Sequence, residues 1–123
     1  MKVTLIYPGI VGVGFDSLGK GGMDRNWINL GLAYIGAYLK ECSHHVDLID
    51  LRGCKDWNDV EREMTRRSPD IFGIYFNTPN FNNALHCARI AARLGIPVIA
   101  GGPHASIDPQ AYRHRCGPAC HYR

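Results

Sequence analysis

The residues best suited to chemistry lie in Gly101-Gly102-Pro103-His104. Two adjacent glycines leave the main chain bare, so a bulky ligand can lie directly against it. The pair follows a short apolar run, Pro97 to Ala100, bounded by turn residues. Such a run reads as a buried parallel strand. Ligands of open parallel α/β sheets bind just outside the carboxyl ends of the strands. Gly101 and Gly102 are therefore expected to form a ligand wall, although a tight strand exit with no ligand would use the same residues. Gly9, after the opening strand, and Asn77-Thr78, after a central one, belong to the same set of strand exits.

Other candidate motifs are incomplete. Gly12-Val-Gly14 suggests dinucleotide binding, but Ser17 stands where a third glycine belongs. No helix pattern opens there to offer its N-terminus to a pyrophosphate. Asp50 is further along than the usual ribose-binding acid. His44-His45 reads as a solvated turn, because a metal site needs converging partners. His114, Cys116, Cys120 and His121 are close enough in sequence to hold zinc, and a disordered tail is the competing reading. No catalytic residue and no metal ligand is assigned.

Composition narrows the classes. At 123 residues the chain fits one domain rather than two. A net charge of +3 with scattered basic residues does not indicate nucleic-acid binding. No apolar run approaches a membrane span and no signal peptide opens the chain, so a cytoplasmic protein is expected. Five cysteines, an odd number, read as free thiols rather than a disulfide framework.

The elements that must position these residues alternate. Lys2–Tyr7 is a β-rich strand stopped by Pro8-Gly9, and a glycine-rich loop runs to about Asn26. The spacing predicts a helix over 28–42, with Leu32, Ile35 and Leu39 as its apolar stripe. A strand over 46–51 follows, then a helix over 57–67 capped by Asp56, with Trp57, Val60 and Met64 facing the core. A central strand over 71–76 leads to a helix over 81–94. That helix is expected to be capped by Asn80 and to bury Phe81, Ala84, Leu85, Ala88 and Ala92. Gly95 stops it and the fourth strand begins at Pro97. This is an α/β pattern, a flavodoxin-like (Rossmann-like) doubly wound parallel sheet of order 2-1-3-4. Its switch point, between the first and third strands, brings the loop after Pro8 to Asn77-Thr78. Residues 107–123 show no convincing fifth strand or closing helix, so the sheet reads as truncated after the fourth strand. Residues 1–110 form the expected domain and 111–123 a tail, disordered or the start of a missing strand. An uncovered edge favours pairing with another chain, so self-association into a homo-oligomer, or poor stability as a monomer, is expected.

These residues carry a resemblance. Tyr7-Pro8, Asn29-Leu-Gly-Leu-Ala-Tyr-Ile-Gly-Ala-Tyr-Leu39, Val46-Asp-Leu-Ile-Asp50, Pro69-Asp-Ile-Phe-Gly-Ile74 and Ile96-Pro-Val-Ile-Ala-Gly-Gly-Pro-His-Ala105 stand in order over residues 1 to about 110. The chain resembles the N-terminal cobalamin (B12)-binding domain of B12-dependent radical S-adenosylmethionine enzymes. The resemblance implies cobalamin bound base-off, its corrin over the carboxyl ends of the strands and its nucleotide tail in a crevice beside the sheet. Gly101 and Gly102 would line the tail and Thr78 would offer it a hydroxyl. Asn77, Pro103, His104 and Gly9 complete the implied cofactor set, and the loop over 8–23 would face the corrin.

Two departures refine this. Mutases and methionine synthase carry Asp-x-His-x-x-Gly after the first strand, with a cobalt-ligating histidine. Residues 8–25 contain no histidine, so a His-off cofactor is expected. The Cys-x-x-x-Cys-x-x-Cys signature of the radical enzymes is also missing, since Arg123 stands in the third place after Cys116 and Cys120. The chain is therefore expected to hold no iron-sulfur cluster and to be a cofactor module rather than an enzyme by itself. Its partner would be a radical S-adenosylmethionine catalytic domain, downstream or on a separate chain. The competing function is a flavodoxin-like domain binding a nucleotide or flavin.

Overall fold

The computed structural model describes residues 1–9, 28–116 and 120–122, leaving aside the side chains of 111–113, 116 and 120–122. The elements are β1 (Lys2–Tyr7), α1 (Leu30–Glu41), β2 (His45–Asp50), a 3₁₀ turn (Leu51–Gly53), α2 (Trp57–Arg67) and β3 (Ile71–Tyr75). They continue with α3 (Phe81–Arg93), β4 (Val98–Gly101), α4 (Pro103–Ile107), α5 (Pro109–Cys116) and β5 (Cys120–Tyr122). The sheet runs β2-β1-β3-β4-β5, with every pair parallel.

The first four strands take the expected order. The expected truncation is corrected: α5 and β5 continue the pattern, and β5 pairs with β4 from Val98–Cys120 to Ala100–Tyr122. The three-residue strand escapes sequence reading because it is too short to show alternation. The expected boundary at residue 110 falls inside α5.

Crossover direction sets the layers. β1 to β2 runs one way across the sheet, and every later crossover runs the other way. With right-handed connections, α1 then lies on one face and α2, α3 and α5 on the other. Contacts agree: α1 rests on β1 and β2, while α2 and α5 flank α3. The main core lies under these three helices. There Ile6, Ile49, Phe72, Ile74, Val98 and Ala100 meet Val60, Met64, Leu85, Ala88 and Ile90. The α1 face has a smaller cluster of Val3, Leu5, Tyr7 and Leu32.

Local chemistry explains most element ends. Asp56 Oδ1 accepts from Asp59 N at 2.8 Å and caps α2. Ser68 closes that helix in the left-handed region, φ 40°. Asn29 caps α1 by accepting from Leu32 N at 3.0 Å. Asn80 departs from expectation, because its side chain makes no cap bond to α3. Its Oδ1 accepts instead from Asn77 N at 2.8 Å, while Asn77 Oδ1 accepts from Asn80 N at 2.9 Å. This reciprocal pair locks the exit of β3. Ala92 is exposed and Ala91 is buried in its place, while Ala84, Leu85 and Ala88 are buried as expected. Ile35 is exposed, so α1 seats on the sheet mainly through Leu32.

No helix among the described residues is long and apolar enough to cross a membrane.

Cys54 and Cys87 are buried and Cys42 is exposed. Burial is the largest cause that pushes the Cys54 thiol up, from 9.0 to about 11, and the carboxylates of Asp59, Glu63 and Asp50 add to it. Burial raises Cys87 in the same direction. A folded pKa above the unfolded one contributes stability that is complete below pH 9 and is lost as pH rises through about 11. Brief maleimide labelling with peptide mapping at pH 7.5 should therefore modify Cys42 and spare Cys54 and Cys87. Stability should decline above pH 9. Equal labelling of all three would contradict this packing.

Candidate ligand groove

Among the described residues, the α1 face of the sheet is half covered. β1 turns Val3, Leu5 and Tyr7 toward it, β3 turns Ile71, Gly73 and Tyr75, and β4 turns Ile99 and Gly101, as period two requires. α1 covers only the β1–β2 side. The uncovered side forms an apolar groove of about 370 Å³, walled by Leu32, Ile35 and Leu39 of α1 and floored by Gly73, Ile99 and Gly101. Tyr75 and Gly102 also line it. A second cavity of about 520 Å³ lies on the other flank of α1, over β2, but touches neither Gly101 nor Gly102.

The glycines in the groove differ. A Cβ on Gly101 would meet nothing within 4 Å, so this position is open space beside Tyr75. A Cβ on Gly73 would come within 2.8 Å of Leu5 Cδ2. Gly102 has φ 108°, and a Cβ there would collide with the Phe76 carbonyl oxygen and press on the Tyr75 ring. Gly102 is thus required by the backbone, whereas Gly101 leaves room.

An aromatic pair lies at the strand ends, Tyr75 lining the groove and the buried Tyr7 lining the second cavity. Tyr7 and Tyr75 lie 6.1 Å apart by ring centroid, tilted by 46°. The Arg52 guanidinium sits 4.7 Å from the Tyr7 ring centroid. Asp50 holds that guanidinium, Oδ2 to Nη2 at 2.6 Å and Oδ1 to Nε at 2.9 Å. The acid at the end of β2 is therefore occupied by a cation of its own chain.

The structure distributes the sequence-derived candidates over two places. Gly101 and Gly102 line the groove. Thr78 and His104 meet each other on the rim, Thr78 Oγ1 to His104 Nδ1 at 3.1 Å. The imidazole packs on Phe81 of α3 at 4.9 Å, so this pair leans toward the α3 side. Neither residue lines the groove. Pro103 is exposed at the start of α4. Asn77 is tied to Asn80. Gly9 is buried at the exit of β1 with φ 82°, after Pro8, whose carbonyl accepts from Asn83 Nδ2 at 3.3 Å. The loop proposed to face the corrin lies largely outside the described residues, as do the side chains of Cys116, Cys120 and His121. Among the described residues no cluster of metal-ligating side chains occurs.

Sequence reasoning missed Gly73, Tyr75 and Leu32 as groove residues. The alternation Ile71-Phe-Gly-Ile-Tyr75 carried the signal, because it places Gly73 and Tyr75 on one face.

Comparison with known proteins gives two findings. Residues 23–123 match a family model described as the B12 binding domain. The chain is also 32% identical over 119 residues to a Pyrococcus horikoshii protein named as an uncharacterized methyltransferase, covering 94% of this chain and 25% of that protein. The chain thus spans a quarter of the length of this curated relative. No solved structure matches.

The two adjacent glycines should respond differently to the same side chain. Gly102→Val places a β-branched residue at positive φ against a carbonyl, so a loss of about 3 kcal/mol or more is expected. Gly101→Val should stay within about 1 kcal/mol of the parent, because valine suits a strand and meets open space. Thermal unfolding of both variants checks this, and equal destabilisation would show that the space beside Gly101 is closed.

Proposed function

The chain belongs to the B12-binding domain family, and from that premise we propose that it holds cobalamin with the nucleotide tail in the α1–β3–β4 groove. The observation that carries this reading is the glycine floor. Gly101 opens onto empty space, and the surrounding walls are apolar, so a flat aromatic base fits without displacing a side chain. Burial of such a base against Leu32, Ile35 and Ile99 would supply most of the affinity. Tyr75, which lines the groove and packs against the buried Tyr7, would be the aromatic side chain nearest the corrin. Thr78, His104, Asn77, Pro103 and Gly9 form the outer strand exits; of these, the Thr78–His104 pair offers polar groups to the cofactor's periphery.

We read the cofactor as base-off and His-off. Among the described residues no histidine lines the groove, residues 8–25 contain none, and His104 is engaged by Thr78 and Phe81. When bound, cobalamin supplies cobalt-centred chemistry such as methyl-group transfer, and this chain supplies orientation and exclusion of water. The relative named as a methyltransferase favours methyl transfer as the reaction class. A radical S-adenosylmethionine catalytic domain, in the same chain or another, would perform the reaction. The absence of the histidine motif favours that branch over the mutases.

One experiment tests tail placement and lower face together. The parent, Gly101→Val and His104→Ala are loaded with hydroxocobalamin, desalted, reduced to cob(II)alamin and examined by electron paramagnetic resonance. Gly101→Val should retain about tenfold less cofactor at unchanged circular dichroism, and the parent spectrum should lack nitrogen superhyperfine splitting. Full retention by Gly101→Val would place the tail elsewhere. Triplet splitting lost in His104→Ala would make this histidine a cobalt ligand.

A further inference from the structure

We infer that α1 forms a symmetric interface with α1 of a second copy of this chain. The first ten residues of this helix, Leu30 to Leu39, carry no charge. A helix apolar all round is normally buried all round. Here Leu32 seats on the sheet, while Leu30, Tyr34 and Tyr38 are 67%, 78% and 66% exposed. At about 100° per residue these three stand on the side opposite Leu32 and Leu39. They form an i, i+4, i+8 ridge with Tyr34 at its middle.

That ridge is complementary to itself. Placed antiparallel about a two-fold axis through Tyr34, it sets Leu30 against the partner's Tyr38 and Tyr34 against the partner's Tyr34. Charge supports the same occupant. The first turn of α1 has no acidic residue to balance its N-terminal partial charge. Glu41, one turn beyond Tyr38 on the same side, reaches the N-terminal turn of the partner helix in this arrangement. The aromatic content of the ridge is typical of interface anchors. The interface uses the outer side of α1 and does not depend on cobalamin, so the apo chain should already form it.

Sedimentation velocity over a concentration series, together with cross-linking, tests the proposal on the full chain. The parent should sediment as a dimer at high concentration. Tyr34→Glu and Tyr38→Glu should each weaken association by about tenfold or more with unchanged circular dichroism. Tyr34→Cys should cross-link to itself with a short bis-maleimide beyond the level of the parent. Cys42 should not, since eight residues on either side of the axis at 1.5 Å each put the two Cys42 positions about 24 Å apart. A parent that stays monomeric throughout would overturn the inference and leave the ridge to a catalytic partner. A dimer that persists in both glutamate variants would overturn it by placing the interface elsewhere.

Discussion

A β-α-β crossover packs its helix back onto a parallel sheet only in the right-handed sense, and this chain changes direction across its sheet once. β1 leads to β2 on one side, and the chain then passes back over β1 to β3, β4 and β5. Among the described residues, that single reversal leaves α1 alone on its face, while α2, α3 and α5 share the other. The consequences reach every part of the molecule. The shared face holds the large core of Phe72, Ile74, Val60 and Met64. The α1 face holds a small cluster and an open apolar groove beside it.

The groove exists because of what its floor lacks. On β3 and β4 the residues facing α1 alternate large and absent: Ile71, Gly73, Tyr75 beside Ile99, Gly101. A side chain at 101 would fill open groove space, whereas one at 73 would run into Leu5. Gly73 lies against Leu5, and Gly101 lies against nothing. Gly102 belongs to a different argument. Its positive φ and its approach to the Phe76 carbonyl make the sharp exit that carries the chain into α4. Two neighbouring glycines in one motif thus differ, Gly101 leaving the groove open and Gly102 serving the backbone. The Thr78–His104 bond then ties the exits of β3 and β4 together across the rim.

Much of this was legible in the amino-acid sequence. The helix at Trp57–Arg67 could be read to the residue, because Asp56 caps it and Val60 and Met64 repeat at helical spacing. The parallel β-α alternation was legible, and the flavodoxin-like order chosen for its first four strands, 2-1-3-4, is the one observed. What escaped did so for physical reasons. Cys120–Tyr122 is too short for any period to show, so the sheet read as truncated. Asn80 looked like a cap, but the turn it shares with Asn77 drew its side chain backward. Ile35 looked buried because α1 is apolar on all sides and its pattern cannot say which side meets the sheet. The site was half legible. The glycine pair was visible as a motif, whereas Gly73 and Tyr75 required knowledge of which face of β3 was left open.

The central claim is that the groove recognises the nucleotide tail rather than the corrin. Comparing retention of cobalamin with that of cobinamide, the corrin without its nucleotide tail, tests it most directly. The account predicts that the chain keeps cobalamin through desalting and keeps cobinamide at least about tenfold less well, since burial of an aromatic base of this size contributes on the order of 1.5 kcal/mol or more. Equal retention of the two would contradict it and move recognition to the rim.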